Sequence, residues 1–282
     1  MLSVIIPTFN RWPALKRTLD SLAAQAVPAH RFEIIVVDDG STDETQSGPH
    51  HYPQVIFIHQ ENRGPAAARN AGAGAARGDI LVFTDDDCTT PPQWLRQIED
   101  LFDATQCDLL GGATRNAARD CYWSSVHQLI TDFWQHAVNR GNNQDVFLTS
   151  NNMAMSKTAF QRIGGFDEQF ALPGGEDRDL AMRAVAAGLR AHFAGDLIID
   201  HHHRMTIDRF CRQHAKYGRG SFLLRTRHQG VASPGMLYLK LLGHGWSGPS
   251  ITTQVMNFTA VLLSQMCIVW GFLSGMRNTS CK

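Results

Sequence analysis

Two short stretches decide the fold of this chain: EIIVVDDGSTD at residues 33–43 and ILVFTDDDCTT at residues 80–90. Each is a run of apolar, largely β-branched residues that leads into two or three aspartates. Continuous apolar runs of this length predict strands that are covered on both faces, as in a parallel sheet between layers of helices. Ligands bind such sheets beyond the carboxyl ends of the strands, which is where both acidic turns would lie.

The flanking sequence continues this alternation of strands and helices. Further strands are predicted at Leu2–Ile6, Val55–Ile58, Phe147–Met155 and Leu197–Ile199. Helices are predicted at Pro13–Gln25, Pro65–Ala76, Pro92–Phe102 and Asp177–Ala187. Residues 111–145 have no clear periodicity and are predicted to be irregular. The pattern indicates an α/β fold with a mostly parallel, Rossmann-like central sheet flanked by helices.

The acidic residues suggest a cation site. Three adjacent carboxylates, Asp85–Asp87, repel one another unless a cation lies among them. The turn at Asp38–Asp43 is equally consistent with an ordinary solvated turn. Glu176 and Asp177 follow two glycines, so they either begin a helix favourably or meet a ligand that approaches closely.

Three consecutive histidines follow the last predicted strand. Alternate residues of a strand face the same way, so His201 and His203 would share a side. A structural role and a role as metal ligand are both open for them.

Composition and charge divide the chain into two regions. With 43% apolar and 18% charged residues, its 282 residues are not those of a disordered protein. Residues 1–200 contain 16 basic and 25 acidic residues, whereas residues 201–282 contain 10 and 1. Such a division predicts different electrostatic partners for the two regions.

The carboxyl-terminal region has the features of a membrane-associated segment. Ile251–Met276 carries no formal charge and is long enough to cross about 30 Å of hydrocarbon, although a buried or interfacial helix is the alternative. The preceding basic stretch suits an anionic membrane surface and predicts a location at the cytoplasmic face of the membrane. No base-reading module accompanies it, so nucleic acid is not an expected partner.

Six segments, taken in order, resemble the family-2 glycosyltransferases with the GT-A fold. They are SVIIPTFNR, IIVVDDGSTDET, NRGPAAARNAG, GDILVFTDDDC, SNNMAMSKTAFQRIGGFDEQF and GGEDRDLAMRA, and the resemblance extends from about residue 2 to 220. It implies a GT-A domain at 1–200, with a nucleotide-binding half at about 1–112 and an acceptor half at about 113–200. A basic helical segment would follow at 201–240, and an apolar membrane-associated or transmembrane helix at 241–282.

The resemblance also implies roles for individual residues. The nucleotide of a sugar donor, most often UDP, would be bound by Pro7, Thr8, Asn10, Asp39, Arg69, Asp85 and Asp86. The metal ion would be held by Asp87 and Asp85, with His201 or His203 completing its shell. The catalytic base would be Asp177, with Glu176 as its neighbour.

The chemistry of glycosyl transfer calls for the same groups. Departure of a nucleoside diphosphate requires a divalent cation, and carboxylate ligands suit Mg²⁺ or Mn²⁺. A hydroxyl acceptor, on a saccharide or a lipid-linked saccharide of surface glycan synthesis, requires a base, and direct attack would invert the anomeric carbon. Two alternatives are a non-catalytic sugar-nucleotide-binding or membrane adaptor and a nucleotidyltransferase. The nucleotidyltransferase is disfavoured because no glycine-rich loop follows the first strand.

Overall fold

The computed structural model describes residues 1–139, 146–170, 174–228 and 235–279. In these residues the strands are β1 (Leu2–Thr8), β2 (Phe32–Asp38), β3 (Ile56–His59), β4 (Ile80–Thr84), β5 (Cys88–Thr89), β6 (Leu109–Asn116), β7 (Asn152–Ser156) and β8 (Ala191–His201). The helices are α1 (Trp12–Ala23), α2 (Gly48–His51), α3 (Pro65–Ala75), α4 (Trp94–Thr105), α5 (Tyr122–Asn139), α6 (Lys157–Arg162), α7 (Glu176–Ala186), α8 (Ile207–Arg227), α9 (Gly235–Gly245) and α10 (Ile251–Thr279). Short 3₁₀ turns lie at Ala29–Arg31 and Glu44–Ser47.

The strands form one sheet in the order β3-β2-β1-β4-β7-β6-β8-β5. The first four strands in this order are parallel to one another. β7 is antiparallel to both of its neighbours, β6 and β8 are parallel, and β5 is antiparallel to β8. The predicted α/β class, with a mostly parallel sheet and a helical carboxyl-terminal extension, is confirmed.

Alternate residues of the central strands enter two separate cores. Val4, Ile6 and Val36 pack under α1 and α4, whereas Ile5 and Val37 pack under α3 and α7. Both faces of the parallel strands are therefore buried, which explains why the sequence of each strand is apolar throughout. The carboxyl ends of β1, β2 and β4 meet at one edge of the sheet, where Thr8 lies opposite Asp38 in the β1–β2 register.

The prediction that residues 111–145 are irregular is wrong for most of this segment. Most of β6 and all of α5 lie within it, and only 140–145 fall outside the described residues. The strand was obscured by Gly111 and Gly112. A Cβ at Gly111 would lie 2.4 Å from Leu148 Cδ2, and one at Gly112 would lie 2.2 Å from Asn152 Nδ2. Glycine is needed here for close packing, so the strand lacks an apolar pattern.

Helix α5 was obscured for a different reason. Trp123, Val126, Ile130 and Phe133 recur at helical spacing and pack together, but the same side of the helix also carries the polar residues Ser124, His127 and Gln128, which interrupt the apolar stripe. The predicted strand Phe147–Met155 is also too long, since β7 begins at Asn152. Leu148 instead enters the core above Gly111.

The last three helices form a layer with α5 and a third core. Its buried residues include Val126 and Ile130 from α5, Phe210 from α8 and Val261 from α10. In the described chain α10 is the one helix that is long and apolar enough to cross a membrane. Its mean hydropathy is 1.6, and 22% of the window is buried. Core helices of soluble proteins pass the same test.

Helices α8 and α10 approach each other closely through glycine. A Cβ at Gly218 of α8 would lie 2.0 Å from the carbonyl oxygen of Ile268, and one at Gly271 of α10 would lie 2.0 Å from that of Ala215. Small residues at such crossings allow the two backbones to touch.

Gly218→Ala is expected to destabilise the protein by about 1–3 kcal/mol, because the added methyl group overpacks the α8–α10 contact. The matched control is Gly243→Ala in α9, where a Cβ would meet no heavy atom within 4 Å, and we expect it to be neutral or slightly stabilising. Thermal unfolding of both variants measures the difference. Equal Tm values for the two variants would contradict the close contact.

Candidate active site

The acidic turn after β4 presents three carboxylates with different partners. Asp85 accepts a hydrogen bond from Arg69 Nη2 at 2.8 Å. Asp86 accepts one from Thr8 Oγ1 at 2.8 Å and pairs with Arg11 Nη1 at 2.9 Å. Asp87 pairs with Arg11 Nη2 at 2.7 Å and with His201 Nε2 at 3.2 Å. Two arginines and one histidine thus offset the repulsion that the sequence led us to expect.

The pKa values of the two buried carboxylates of this turn are shifted in opposite directions. Burial raises the pKa of Asp86 to about 7, although Arg11 opposes the shift. Burial would also raise the pKa of Asp87, but His201 and Arg11 outweigh it and hold that pKa well below its ordinary value. Burial likewise disfavours the charged form of His201, and Asp87 overcomes this and raises the pKa of the imidazole.

Strand pairing decides which of the three histidines reaches the acidic turn. β5 begins immediately after the turn and pairs with the end of β8, so that Cys88 lies opposite His201. His203 stacks behind His201 with ring centroids 3.9 Å apart, and both of its ring nitrogens are buried without a hydrogen-bond partner among the described residues. Burial lowers the pKa of His203 to about 3. His202 turns away and contacts Thr89 at 2.8 Å.

Asp87, Cys88 and His201 form a group that fits a divalent cation. Their potential ligand atoms all lie within 4.8 Å of one another. A carboxylate and an imidazole suit Mn²⁺ and, less fully, Mg²⁺. Burial raises the pKa of the Cys88 thiol well above its ordinary value. Asp85, which was predicted as a second metal ligand, accepts a hydrogen bond from Arg69, and its role at the metal stays a prediction.

Arg69 connects the acidic turn to the second acidic element. Its guanidinium is 3% exposed and contacts Asp85 through Nη2 and Glu176 Oε1 through Nη1 at 3.3 Å. It also lies 5.5 Å from the ring centroid of Phe166. The structure therefore brings together Asp85 and Glu176, which are far apart in the sequence.

Asp177 lies at the start of α7, next to Glu176. Its Oδ1 accepts a hydrogen bond from the amide of Arg178 at 2.8 Å, and its Oδ2 accepts a long one from that of Ser150 at 3.4 Å. Burial, and secondarily the charge of Glu176, raises the pKa of Asp177 to about 7. A carboxylate with that pKa can take up a proton near neutral pH.

The turn that precedes Asp177 is held tightly. Gly174 and Gly175 have φ angles of 134° and 104°, which favour glycine, and the amide of Gly174 donates to Glu176 Oε2 at 2.7 Å. Helix α8 packs against this turn at Gly220, where a Cβ would lie 1.8 Å from the carbonyl oxygen of Gly174.

The residues predicted to bind the nucleoside line the ends of β1 and β2. Pro7 and Thr8 end β1, and Asn10 follows with a φ of 54° and accepts a hydrogen bond from the amide of Thr42 at 2.7 Å. The carboxylate of Asp39 accepts from Gln60 and from the amides of residues 63 and 64. Its Oδ2 accepts only the last of these bonds among the described residues and so retains acceptor capacity.

The sequence did not predict the partners of Arg11 or a buried group behind the candidate metal site. Arg11 follows the first strand and pairs with two of the three aspartates. His127 of α5 and His214 of α8 stack with ring centroids 5.4 Å apart beside Tyr217. Burial lowers the pKa of His214 to about 4 and raises that of Tyr217. Nothing in the local sequence signals these contacts.

Comparison with solved structures identifies similar folds. The mannosyltransferase PcManGT from Pyrobaculum calidifontis, solved with GDP-Man and Mn²⁺, is similar with a TM-score of 0.66 and 19% identity, over 98% of this chain and 86% of that one. TarS from S. aureus, solved with UDP-GlcNAc, has a TM-score of 0.60 and 18% identity, over 94% of this chain and 72% of that one. These similarities confirm the GT-A fold.

Sequence comparisons give the family. Validoxylamine A glucosyltransferase from Streptomyces hygroscopicus subsp. jinggangensis (strain 5008) is 31% identical over 227 residues, which cover 67% of this chain and 52% of that protein. The chain spans about half the length of this relative and of the pre-mycofactocin glycosyltransferase of Mycobacterium tuberculosis, another relative it matches. Residues 144–217 match the model described as "N-terminal domain of galactosyltransferase". Residues 3–164, more than half of the chain, match the model of glycosyl transferase family 2, and the protein belongs to that family.

Proposed function

We propose that the protein transfers a sugar from a nucleoside diphosphate sugar to a hydroxyl acceptor, with a divalent cation and with inversion at the anomeric carbon. The observation that carries the proposal is the Arg69 bridge between Asp85 and Glu176, because it joins a donor-binding turn to a base-bearing turn. A reaction between two substrates needs both elements in one crevice.

The donor nucleoside is proposed to lie across the ends of β1 and β2. Asp39 offers Oδ2 to an N–H group of the base, while its other bonds hold the carboxylate in place. Pro7, Thr8 and Asn10 form the neighbouring wall. UDP is the proposed nucleotide, and GDP is the alternative that the mannosyltransferase complex suggests.

Asp87 and His201 are proposed to hold Mg²⁺ or Mn²⁺ beside the diphosphate. The cation would supply positive charge to the departing nucleoside diphosphate. Arg11 and Arg69 supply further positive charge from the protein, and both are fixed by carboxylates before any substrate arrives. Preorganised charge of this kind stabilises a leaving group without reorganisation. Asp85 and Asp86 are then proposed to serve the nucleotide and to orient these arginines.

Asp177 is proposed as the base that removes the proton from the acceptor hydroxyl. Burial and the neighbouring charge of Glu176 raise its pKa to about 7, which suits a group that takes up a proton near neutral pH. The hydrogen bond from the Arg178 amide fixes Oδ1. The contact of Oδ2 with the Ser150 amide is long, so Oδ2 is the oxygen that would accept the proton of the acceptor hydroxyl. Direct attack by the hydroxyl from the side opposite the diphosphate gives inversion.

The acceptor is proposed to be a saccharide or a lipid-linked saccharide at the cytoplasmic face of a membrane, as in surface glycan synthesis. The apolar helix α10 and the basic helix α8 support this location, because together they would hold the enzyme against an anionic surface. The division into a GT-A domain at 1–200, a basic helical segment at 201–240 and an apolar carboxyl-terminal helix stays part of the same proposal.

Calorimetric titration with UDP, GDP and CDP, each with and without Mn²⁺, tests the donor site. We expect one nucleotide to bind more tightly with Mn²⁺, and Asp87→Asn to weaken that binding about 10-fold or more because a metal ligand is lost. Asp103→Asn, at an exposed position of α4, is the control. Unchanged Mn²⁺ dependence in Asp87→Asn would exclude Asp87 as a ligand.

Asp177→Asn is expected to lower turnover about 10²–10⁴-fold while leaving nucleotide affinity unchanged, because only the base is removed. Steady-state kinetics and the nucleotide titration measure the two effects separately. Near-normal turnover would place the base elsewhere, and product NMR that showed retention would overturn the inverting mechanism.

The pH dependence of turnover offers a further test of the base. Asp177 must be deprotonated to act, so turnover should fall as the pH drops below about 7. Glu176→Gln removes the neighbouring negative charge, which should lower the pKa of Asp177 and shift the loss of turnover to lower pH. If turnover of Glu176→Gln is lost at the same pH as in the unchanged protein, a group other than Asp177 controls that loss.

A further inference from the structure

A pocket of about 410 Å³ lies beside the proposed base, between the last three helices and α7. Its apolar lining comes from four helices, with Met182 in α7, Leu224 in α8, Leu242 in α9 and Ile268 in α10. The volume is within the range of small-molecule sites, which is about 300–1,000 Å³. None of the nucleotide or metal residues named above lines it.

One residue of the pocket lining is the sequence neighbour of the proposed base. Arg178 lines the pocket and directly follows Asp177, whose Oδ1 accepts the hydrogen bond from the Arg178 amide. The pocket and the proposed base therefore share the first turns of α7.

The lining combines apolar surface with positive charge. Arg178 and Arg225 contribute guanidinium groups, and no carboxylate is present among the described residues that line the pocket. Arg225 lies over the ring of Phe272, with its Cζ 5.6 Å from the ring centroid. A ligand that fits such a lining has an apolar chain and a negatively charged group.

The mouth of the pocket is apolar as well. Leu239, Val269 and Leu273 line it with 67%, 57% and 51% of their surface exposed. Exposed apolar side chains around a concave site indicate a binding surface. A flat bilayer surface would contact these tips but would not enter a pocket enclosed by four helices, whereas a single lipid chain would.

We propose that this pocket binds the apolar chain of a lipid-linked acceptor whose anionic head group contacts Arg178 and Arg225. The inference rests on the proposed glycosyl transfer and names the acceptor class for that reaction. It assigns the carboxyl-terminal helices a part in acceptor recognition in addition to any contact with the bilayer.

Binding of dodecyl phosphate, below its micelle concentration, to the purified full chain tests the proposal by calorimetry. We expect saturable binding that Val269→Glu weakens about 10-fold or more, because a carboxylate at the mouth disfavours an apolar and anionic ligand. Met266→Glu is the matched control, since Met266 lies on the same helix, is 62% exposed and does not line the pocket. Leu239→Glu repeats the test from α9.

The charge of the head group is tested separately. Dodecyltrimethylammonium, which has the same chain and a cationic head, is expected to bind much more weakly than dodecyl phosphate. Arg225→Gln should reduce this preference, whereas Arg209→Gln at the other end of α8 should keep it. Inorganic phosphate that bound as tightly as dodecyl phosphate would exclude a role for the apolar chain.

Two outcomes would overturn the proposal. Equal losses in Val269→Glu and Met266→Glu would indicate a general apolar surface without a lipid site, and an absence of dodecyl phosphate binding by the folded chain would exclude the site. The nucleotide titration with Mn²⁺ is run on the same variants, which should bind donor nucleotide normally. Donor binding without lipid binding would leave the proposed function standing. Lipid binding without donor binding would overturn the proposed function, and the pocket would then be a lipid site without a role in acceptor binding.

Discussion

The guanidinium of Arg69 lies almost fully buried between Asp85, at the end of β4, and Glu176, at the start of α7. Removal of one partner from a buried charge pair leaves an uncompensated charge and costs about 3–5 kcal/mol. The burial of each of these charged groups therefore depends on the presence of the others. Glu176 also accepts the amide of Gly174, and the same cation therefore sets the turn that presents Asp177. One side chain of α3 thus contacts both the acidic turn after β4 and the acidic start of α7.

Much of the sheet could be predicted from the sequence, because its signals are local. The strands β1, β2 and β4 are apolar throughout since both faces are covered, and the aspartates that follow β2 and β4 mark the edge where the parallel strands end. The importance of the Asp85–Asp87 turn follows from the repulsion of adjacent carboxylates, and the structure accounts for it with cationic partners.

The remainder could not be predicted because it depends on contacts between distant residues. Cys88 pairs with His201 in the sheet, and this register makes His201, and not His203, the neighbour of Asp87. Three consecutive histidines in a sequence do not reveal which of them pairs with a distant strand. Strand β6 was hidden because glycine is required where Leu148 and Asn152 pack against it. Helix α5 was hidden because its buried side mixes polar residues with Val126 and Ile130, and Gln128 on that side bonds the backbone of β6.

Gly174 and Gly220 show how far the acidic site depends on the carboxyl-terminal helices. A methyl group on Gly220 would collide with the Gly174 carbonyl, and one on Gly174 would lie 2.9 Å from the ring of Tyr217 in the same helix α8. The two positions should therefore change together during evolution. Among homologues, a larger residue at one would be accompanied by a displaced helix or a rebuilt turn at the other. The turn that carries the proposed base and helix α8 are thus constrained as one unit.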